Sequence, residues 1–182
     1  MTLVALVGMA GAGKSEVASI FAECGYAKIR FGDITEEEIS RRQLPLNEEN
    51  ERVVREGFRK EHGMAAFAIL NLPKIDKAVI KGQKVVIDGL YSWEEYGVLK
   101  EYYGAGIKIL AVITSPKTRY IRLSTRICRP LTVEQAYSRD KSEIENINKG
   151  GPISMADYTI INENTLEHLK YKTRKIINML EQ

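Results

Sequence analysis

The chain has 182 residues, of which 44% are apolar and 28% charged, with a formal net charge of +3 at pH 7. This length fits one domain, and the apolar fraction is enough for a packed core. A small positive net charge is usual for a soluble protein, and it would also suit the binding of a polyanionic small ligand. A nucleic-acid partner is not expected, because such proteins usually carry more basic residues, clustered on one face.

The sequence has the features of a cytoplasmic protein. Cys24 and Cys128 lack the spacing of a metal site or a disulfide framework, which is typical of reduced thiols in the cytosol. No basic region precedes the first apolar run, and no run approaches the roughly 20 apolar residues that cross a bilayer. We therefore expect no membrane segment, and the sequence leaves a monomer and a small homo-oligomer equally open.

Short apolar runs alternate with segments of helical spacing along the chain. The apolar runs predict five strands, at Leu3–Val7, Ala27–Arg30, Val85–Ile87, Ile107–Ile113 and Tyr158–Ile161. Helices are predicted at Lys14–Cys24, from Ser115-Pro116 to about Arg126, and after Asn164, which forms a capping-box pattern with Glu167. This order is typical of an α/β fold with a five-stranded parallel sheet and helices on both faces.

Two charged segments interrupt this alternation, at residues 32–72 and 127–150. The first lies between the second and third strands, is mainly helical and is rich in glutamate. The second precedes the last strand and carries several basic residues. We interpret residues 1–182 as one domain in which both segments are insertions at the ligand-binding edge, the first holding an acceptor and the second acting as a lid.

A glycine-rich turn follows the first strand and matches the pattern G-x-x-x-x-G-K-[ST]. It comprises Gly8, Met9, Ala10, Gly11, Ala12, Gly13, Lys14 and Ser15. Glycines let the backbone wrap around a phosphate so that its N–H groups point inward, and the following helix adds its positive end. Lys14 can reach the β- and γ-phosphates of a nucleotide, and the Ser15 hydroxyl can bind Mg²⁺.

Asp88 ends the apolar run of the third strand. The carboxyl ends of parallel strands face the ligand crevice, so this carboxylate is expected near the metal. The alternative is that Asp88 merely begins the turn before Gly89.

Five arginines lie within a short stretch, and two interpretations of them are open. Arg119, Arg122 and Arg126 recur at helical spacing, as on a solvated helix face. Arg129 and Arg139 fall in or beside the predicted lid, where guanidinium groups suit phosphate oxygens. We expect Arg122 or Arg126, with Arg129 and Arg139, to contact phosphate.

The first insertion and the segment after the third strand contain candidate acceptor-binding residues, each of which could instead have a purely structural role. Asp33 either accepts a proton from an acceptor hydroxyl or caps the helix that follows it. Arg41 and Arg42 either clamp an acceptor phosphate or pair with Glu37 and Glu38 on a wet helix. Tyr91, Trp93 and Tyr96 either line the acceptor pocket or, as we prefer, form the apolar side of a helix.

These motifs together resemble the nucleoside-monophosphate-kinase-type P-loop proteins, in particular an archaeal group related to adenylate kinase and dephospho-CoA kinase. The resemblance is carried by Gly8–Ser15, Gly32-Asp33, Val86–Gly89, Arg122–Arg126 and Ala156–Asn162. It implies a kinase fold and places the adenine of ATP near Asn162 and Glu163. After Asp88-Gly89, adenylate kinases carry Pro-Arg to hold AMP, whereas this chain has Tyr91-Ser92; the segment Arg129–Arg139 is similar to the lid of dephospho-CoA kinases.

We therefore expect a phosphotransferase that uses ATP and Mg²⁺ on a small-molecule acceptor, either a nucleoside monophosphate or dephospho-CoA. Lys14, Asp33, Arg126, Arg129 and Arg139 are the predicted catalytic residues, and Ser15 and Asp88 the predicted metal ligands. A different class of function also fits the sequence: an ATP-dependent switch or slow ATPase that regulates an RNA or protein partner.

Overall fold

A computed structural model describes residues 2–127 and 130–182. Its centre is a sheet of five strands, β1 (Leu3–Val7), β2 (Ala27–Arg30), β3 (Val85–Asp88), β4 (Ile107–Ile113) and β5 (Tyr158–Ile161). The strands are all parallel, and their order across the sheet is β2-β3-β1-β4-β5. The predicted α/β fold and the number and direction of its strands are confirmed.

Helices connect the strands and cover the sheet. They are α1 (Lys14–Glu23), α2 (Asp33–Arg41), α3 (Glu48–His62), α4 (Ala66–Ile80), α5 (Trp93–Tyr103), α6 (Pro116–Thr125), α7 (Val133–Glu145), α8 (Gly150–Ser154) and α9 (Leu166–Leu180). A short 3₁₀ turn, Gly104–Gly106, leads from α5 into β4.

The apolar pattern of the strands explains the layered core. All five residues of β1 are buried, as expected for a central strand that is covered on both faces. On one face the core includes Val17 and Phe21 of α1 and Ile177 of α9. On the other face it includes Phe67 of α4 and Leu99 of α5.

The sheet register brings the polar ends of several strands to one edge. Leu6 of β1 lies beside Asp88, the last residue of β3, and Asp88 in turn lies beside Arg30, the last residue of β2. Gly8 follows β1 directly, and Asn162 follows β5 directly. The parallel strands thereby gather these residues along the edge where α/β sheets bind ligands.

One predicted helix cap is wrong, and so is one of the two interpretations of Asp33. The N-cap of α9 is Thr165, whose hydroxyl accepts a hydrogen bond from the His168 amide, and Asn164 lies outside the helix. The N-cap of α2 is Gly32, so Asp33 is the first helical residue and not the cap. Its carboxylate instead accepts a hydrogen bond from the Arg30 guanidinium at 2.9 Å.

Residues 32–72 form α2, α3 and the first half of α4, which confirms their predicted helical character. Arg41 and Arg42 both donate to Glu38, at 2.6 Å and 2.7 Å, as the wet-helix interpretation expects. Within residues 2–127 and 130–182, no helix combines the length and the apolar character needed to cross a bilayer.

Candidate active site

The glycine-rich turn has a backbone that only glycine adopts easily. Gly8, Gly11 and Gly13 have φ angles of 149°, 77° and 101°, which L side chains disfavour. A Cβ on Gly13 would lie 2.5 Å from the side-chain nitrogen of Asn162, so glycine is also required there by space. Helix α1 begins at the next residue, Lys14, and its free N–H groups therefore face the concave side of the turn.

Replacing Gly13 by alanine tests whether this close approach matters. We expect Gly13→Ala to lower the free energy of unfolding by about 2–3 kcal/mol and to weaken nucleotide binding, because both the strained φ and the contact with Asn162 oppose the new methyl group. Gly25→Ala is the matched control, since Gly25 also has a positive φ, 86°, but its Cβ would meet nothing within 4 Å. Chemical denaturation should show the larger loss for Gly13→Ala; equal losses would assign the effect to φ alone.

Lys14 is tied into the turn by its ammonium group. Its Nζ donates to the carbonyl oxygens of Gly8 at 2.9 Å and Met9 at 3.1 Å. Burial, together with the nearby positive charges of Lys149 and Arg139, lowers the pKa of Lys14 to about 8, although the charges of Glu143 and Asp88 oppose the shift. The group is therefore still mainly protonated at pH 7 and close to losing its charge.

This lowered pKa predicts a pH dependence of nucleotide binding. Because phosphate oxygens favour the protonated lysine, ATP binding must take up a proton above pH 8, and we expect the affinity to fall about tenfold between pH 7 and pH 9. Calorimetry in buffers of different ionisation enthalpy measures both the affinity for ATP and the number of protons taken up on binding. Lys14→Arg should flatten the dependence, since a guanidinium stays protonated throughout this range. An affinity of the wild-type protein that is level from pH 7 to pH 9 would contradict the assignment.

A cleft of about 300 Å³ adjoins the turn. It is lined by Gly13, Glu16, Arg122, Asn162, Asn164, Leu166 and Leu169. The side-chain amide of Asn162 donates to the Ala12 carbonyl at 2.8 Å, and Arg122 donates to the Asn162 carbonyl at 3.1 Å. Asn162 therefore holds the turn against β5, and the combination of apolar and polar lining is typical of small-molecule sites.

The two predicted metal ligands, Ser15 and Asp88, lie in the first turn of α1 and at the end of β3. Ser15 is the second residue of α1 and is exposed. Asp88 is only 5% exposed, and its carboxylate lies 4.0 Å from the Lys28 ammonium. A hydroxyl and one carboxylate fit Mg²⁺, which usually binds few protein ligands and takes the rest from phosphates and water.

Arg119 anchors α6, and the solvated-face interpretation is wrong for it. Its side chain is 4% exposed and forms two hydrogen bonds with Asp140 of α7, at 2.9 Å and 2.6 Å. A third bond, 3.1 Å long, reaches the Ala10 carbonyl in the glycine-rich turn. This arginine therefore fixes α7 relative to the turn.

Residues of α7 and of the segment after it place charges beside Lys14. Glu143 accepts hydrogen bonds from Arg139 at 3.1 Å and from Lys149 at 2.7 Å. Burial raises the pKa of Glu143, but Lys149 and Arg139 lower it more, so the carboxyl stays ionised. Lys149 escaped the sequence analysis because it stands in a polar segment, and no motif or spacing marks it.

Tyr91 is a neighbour of this charged group, with the Lys149 ammonium 5.3 Å from the centre of its ring. Its ring contacts Phe67 edge to face with centroids 5.8 Å apart, and the Arg59 guanidinium lies 5.5 Å from the centre of the Phe67 ring. Tyr91 precedes α5, so the expectation that it belongs to the apolar side of that helix is wrong. Burial raises the pKa of the neighbouring Glu95 carboxyl to about 8.

The remaining predicted catalytic residues do not all fall in one place. Asp33 lies at the start of α2 in an ion pair with Arg30, next to the end of β2. Arg126 is half-buried directly after α6. Arg129 lies outside the described residues. Arg139 lies within electrostatic reach of Lys14.

The fold and the turn define the class of protein: a P-loop protein with a kinase-like fold. A shikimate kinase from Bacteroides thetaiotaomicron superposes with a TM-score of 0.62 at 16% identity, with 97% of this chain and 98% of that chain covered. A dephospho-CoA kinase from Campylobacter jejuni gives a TM-score of 0.60 at 14% identity, with 98% and 97% covered. At these identities the likeness shows the fold alone.

The sequence relatives show the family. Residues 4–147 match the AAA domain family. A UPF0200 protein from Thermococcus kodakarensis is 36% identical over 180 residues, covering 97% of this chain and 96% of its own length. One from Pyrococcus furiosus is 36% identical with 98% and 97% covered. The chain belongs to the UPF0200 family and carries this AAA domain.

Proposed function

We propose that the protein transfers the γ-phosphate of ATP, with Mg²⁺, to a small acceptor that carries a hydroxyl or phosphate group. The observation that carries this proposal is that Lys14 joins the glycine-rich turn to a group of charged side chains from other parts of the chain. It is bonded to the turn that precedes α1, and it also lies within electrostatic reach of Asp88 and of Arg139, Glu143 and Lys149 from α7 and the segment after it. Phosphoryl transfer needs cations on both sides of the moving group.

On the donor side, the backbone N–H groups of the turn and the Lys14 ammonium hold the β- and γ-phosphates. Ser15 and Asp88 hold Mg²⁺, which neutralises charge on the phosphate oxygens. The adenine enters the cleft beside Gly13 and Arg122, whose apolar wall is formed by Leu166 and Leu169.

On the acceptor side, we assign binding to α2, α3, the start of α4 and Tyr91. The acceptor oxygen forms a bond to the γ-phosphorus while the bond from this phosphorus to the β–γ bridging oxygen breaks, and ADP leaves. The proton of an acceptor hydroxyl passes to a carboxylate, for which Asp33 is our candidate. Arg59, which lies over the Phe67 ring, offers a cation for an anionic acceptor.

A panel of acceptors with γ-labelled ATP tests this proposal. The panel includes nucleoside monophosphates and dephospho-CoA, together with shikimate and gluconate as acceptors of structurally similar kinases. We expect label to move to one chemical class of acceptor, with little release of phosphate when no acceptor is present. Hydrolysis without transfer, stimulated by RNA or by a protein, would contradict the proposal and favour an ATP-dependent switch.

A further inference from the structure

Lys149 is an unusually buried lysine. Its side chain is 2% exposed, and its ammonium lies 2.7 Å from the Glu143 carboxylate, which is 12% exposed. A lysine with so little exposure is rare unless it is paired, because removing the ammonium from water is costly. The segment between α7 and α8 therefore places a charged group deep in the protein for a reason other than solubility.

Lys14 and Lys149 lie in one cluster of charged groups. Its other described members include Arg139, Asp88 and Glu143, and the Glu95 carboxyl also lies within electrostatic reach of Lys149. Within the described part of the chain, Lys14 donates hydrogen bonds only to the carbonyls of Gly8 and Met9 and forms no ion pair with a carboxylate. The ammonium groups of Lys14 and Lys149 lie within electrostatic reach and repel each other, and a polyanion such as the end of a triphosphate would relieve this repulsion.

Lys149 also lies between the two halves of the proposed active site. On one side it is within electrostatic reach of Lys14. On the other side its ammonium lies 5.3 Å from the centre of the Tyr91 ring. The Tyr91 hydroxyl itself reaches across the ends of β3 and β2, because a Cβ on Gly89 would lie 2.6 Å from it and one on Gly32 3.5 Å.

We propose that Lys149 is a second catalytic cation, which binds the γ-phosphoryl group as it moves from ATP to the acceptor. Glu143 holds the ammonium in place until phosphate oxygens replace its carboxylate as the partner. The inference rests on the proposed function. It goes further by assigning one residue to the γ-phosphate, at the boundary between the donor side and Tyr91.

A purely structural role for Lys149 makes a different prediction. If the pair with Glu143 only fixed the segment after α7, its loss would affect ADP and ATP alike. If Lys149 binds the γ-phosphoryl group, its loss weakens ATP binding while ADP binding stays unchanged. The ratio of the two affinities therefore separates the two roles, and it requires no knowledge of the acceptor.

Calorimetry with ATP and with ADP, both in Mg²⁺, tests this on Lys149→Met. We expect the preference for ATP over ADP to fall about tenfold, as for loss of one hydrogen bond to a charged group, with the ADP affinity unchanged. Lys149→Arg should keep the preference, because it keeps the charge. Lys141→Met is the matched control on α7, since Lys141 is exposed and lies 3.9 Å from Glu145 in a surface ion pair.

The double variant Lys149→Met/Glu143→Gln keeps the test possible if Lys149→Met alone misfolds, because it removes both buried charges together. It should unfold at the same temperature as the wild type and show the same loss of ATP preference. A folded Lys149→Met or double variant that keeps the wild-type preference would overturn the inference and leave the proposed function intact. A wild-type protein that binds neither nucleotide would contradict the proposed function itself.

Discussion

Lys14→Ala is expected to lower ATP-dependent phosphoryl transfer by about 10²–10³-fold, as for loss of one preorganised cation at a reacting phosphate. Its ammonium is held in the glycine-rich turn by the carbonyls of Gly8 and Met9. Lys149 and Arg139 bind Glu143 and not the turn, so neither occupies the position of the Lys14 ammonium. Transfer of label from γ-labelled ATP to the acceptor found in the panel measures the effect.

The control for this variant is Lys117→Ala, which removes an exposed lysine from the first turn of α6. Circular dichroism and thermal unfolding should show that both variants keep the wild-type fold. A folded Lys14→Ala protein with full transfer activity would remove Lys14 from the catalytic site.

Arg119→Met is expected to lower the free energy of unfolding by about 3–5 kcal/mol, because it leaves the buried Asp140 carboxylate without its cation. The Asp140 side chain is 9% exposed, and among the described residues Tyr120 would remain as its hydrogen-bond donor. The variant also removes the bond to the Ala10 carbonyl, so we expect weaker ATP binding at temperatures where the protein is still folded. Urea denaturation measures the change in stability.

The double variant Arg119→Met/Asp140→Leu is the control, since replacing a whole buried ion pair by apolar groups costs much less than removing one partner. It should recover most of the lost stability. A double variant as unstable as Arg119→Met would show that the bonds of Arg119 to the Ala10 and Thr114 carbonyls contribute most of its effect.

The sequence predicted the sheet and the turn well because their signals are local. Most strands are short apolar runs, and the bounds of β1, β2, β4 and β5 were predicted as the structure has them. The glycine-rich turn is one continuous motif whose backbone angles follow from its own residues. Such features depend little on what lies elsewhere in the chain.

The sequence could not predict the buried charges, because they depend on contacts between distant segments. Arg119 and Asp140 are twenty-one residues apart and meet only when α6 packs against α7. Lys149 lies in an ordinary polar stretch, and its burial follows from the packing of that stretch near Tyr91 and the turn. The prediction of the α9 N-cap was wrong for another reason. Asn164 and Thr165 are adjacent and both are good capping residues, so the sequence pattern does not distinguish between them.

Binding of ATP to the wild-type protein, measured by calorimetry with and without Mg²⁺, tests the central claim most directly. The account predicts saturable binding at one site per chain, strengthened by Mg²⁺ and lost in Lys14→Ala. A folded wild-type protein that takes up no ATP in the presence of Mg²⁺ would contradict it.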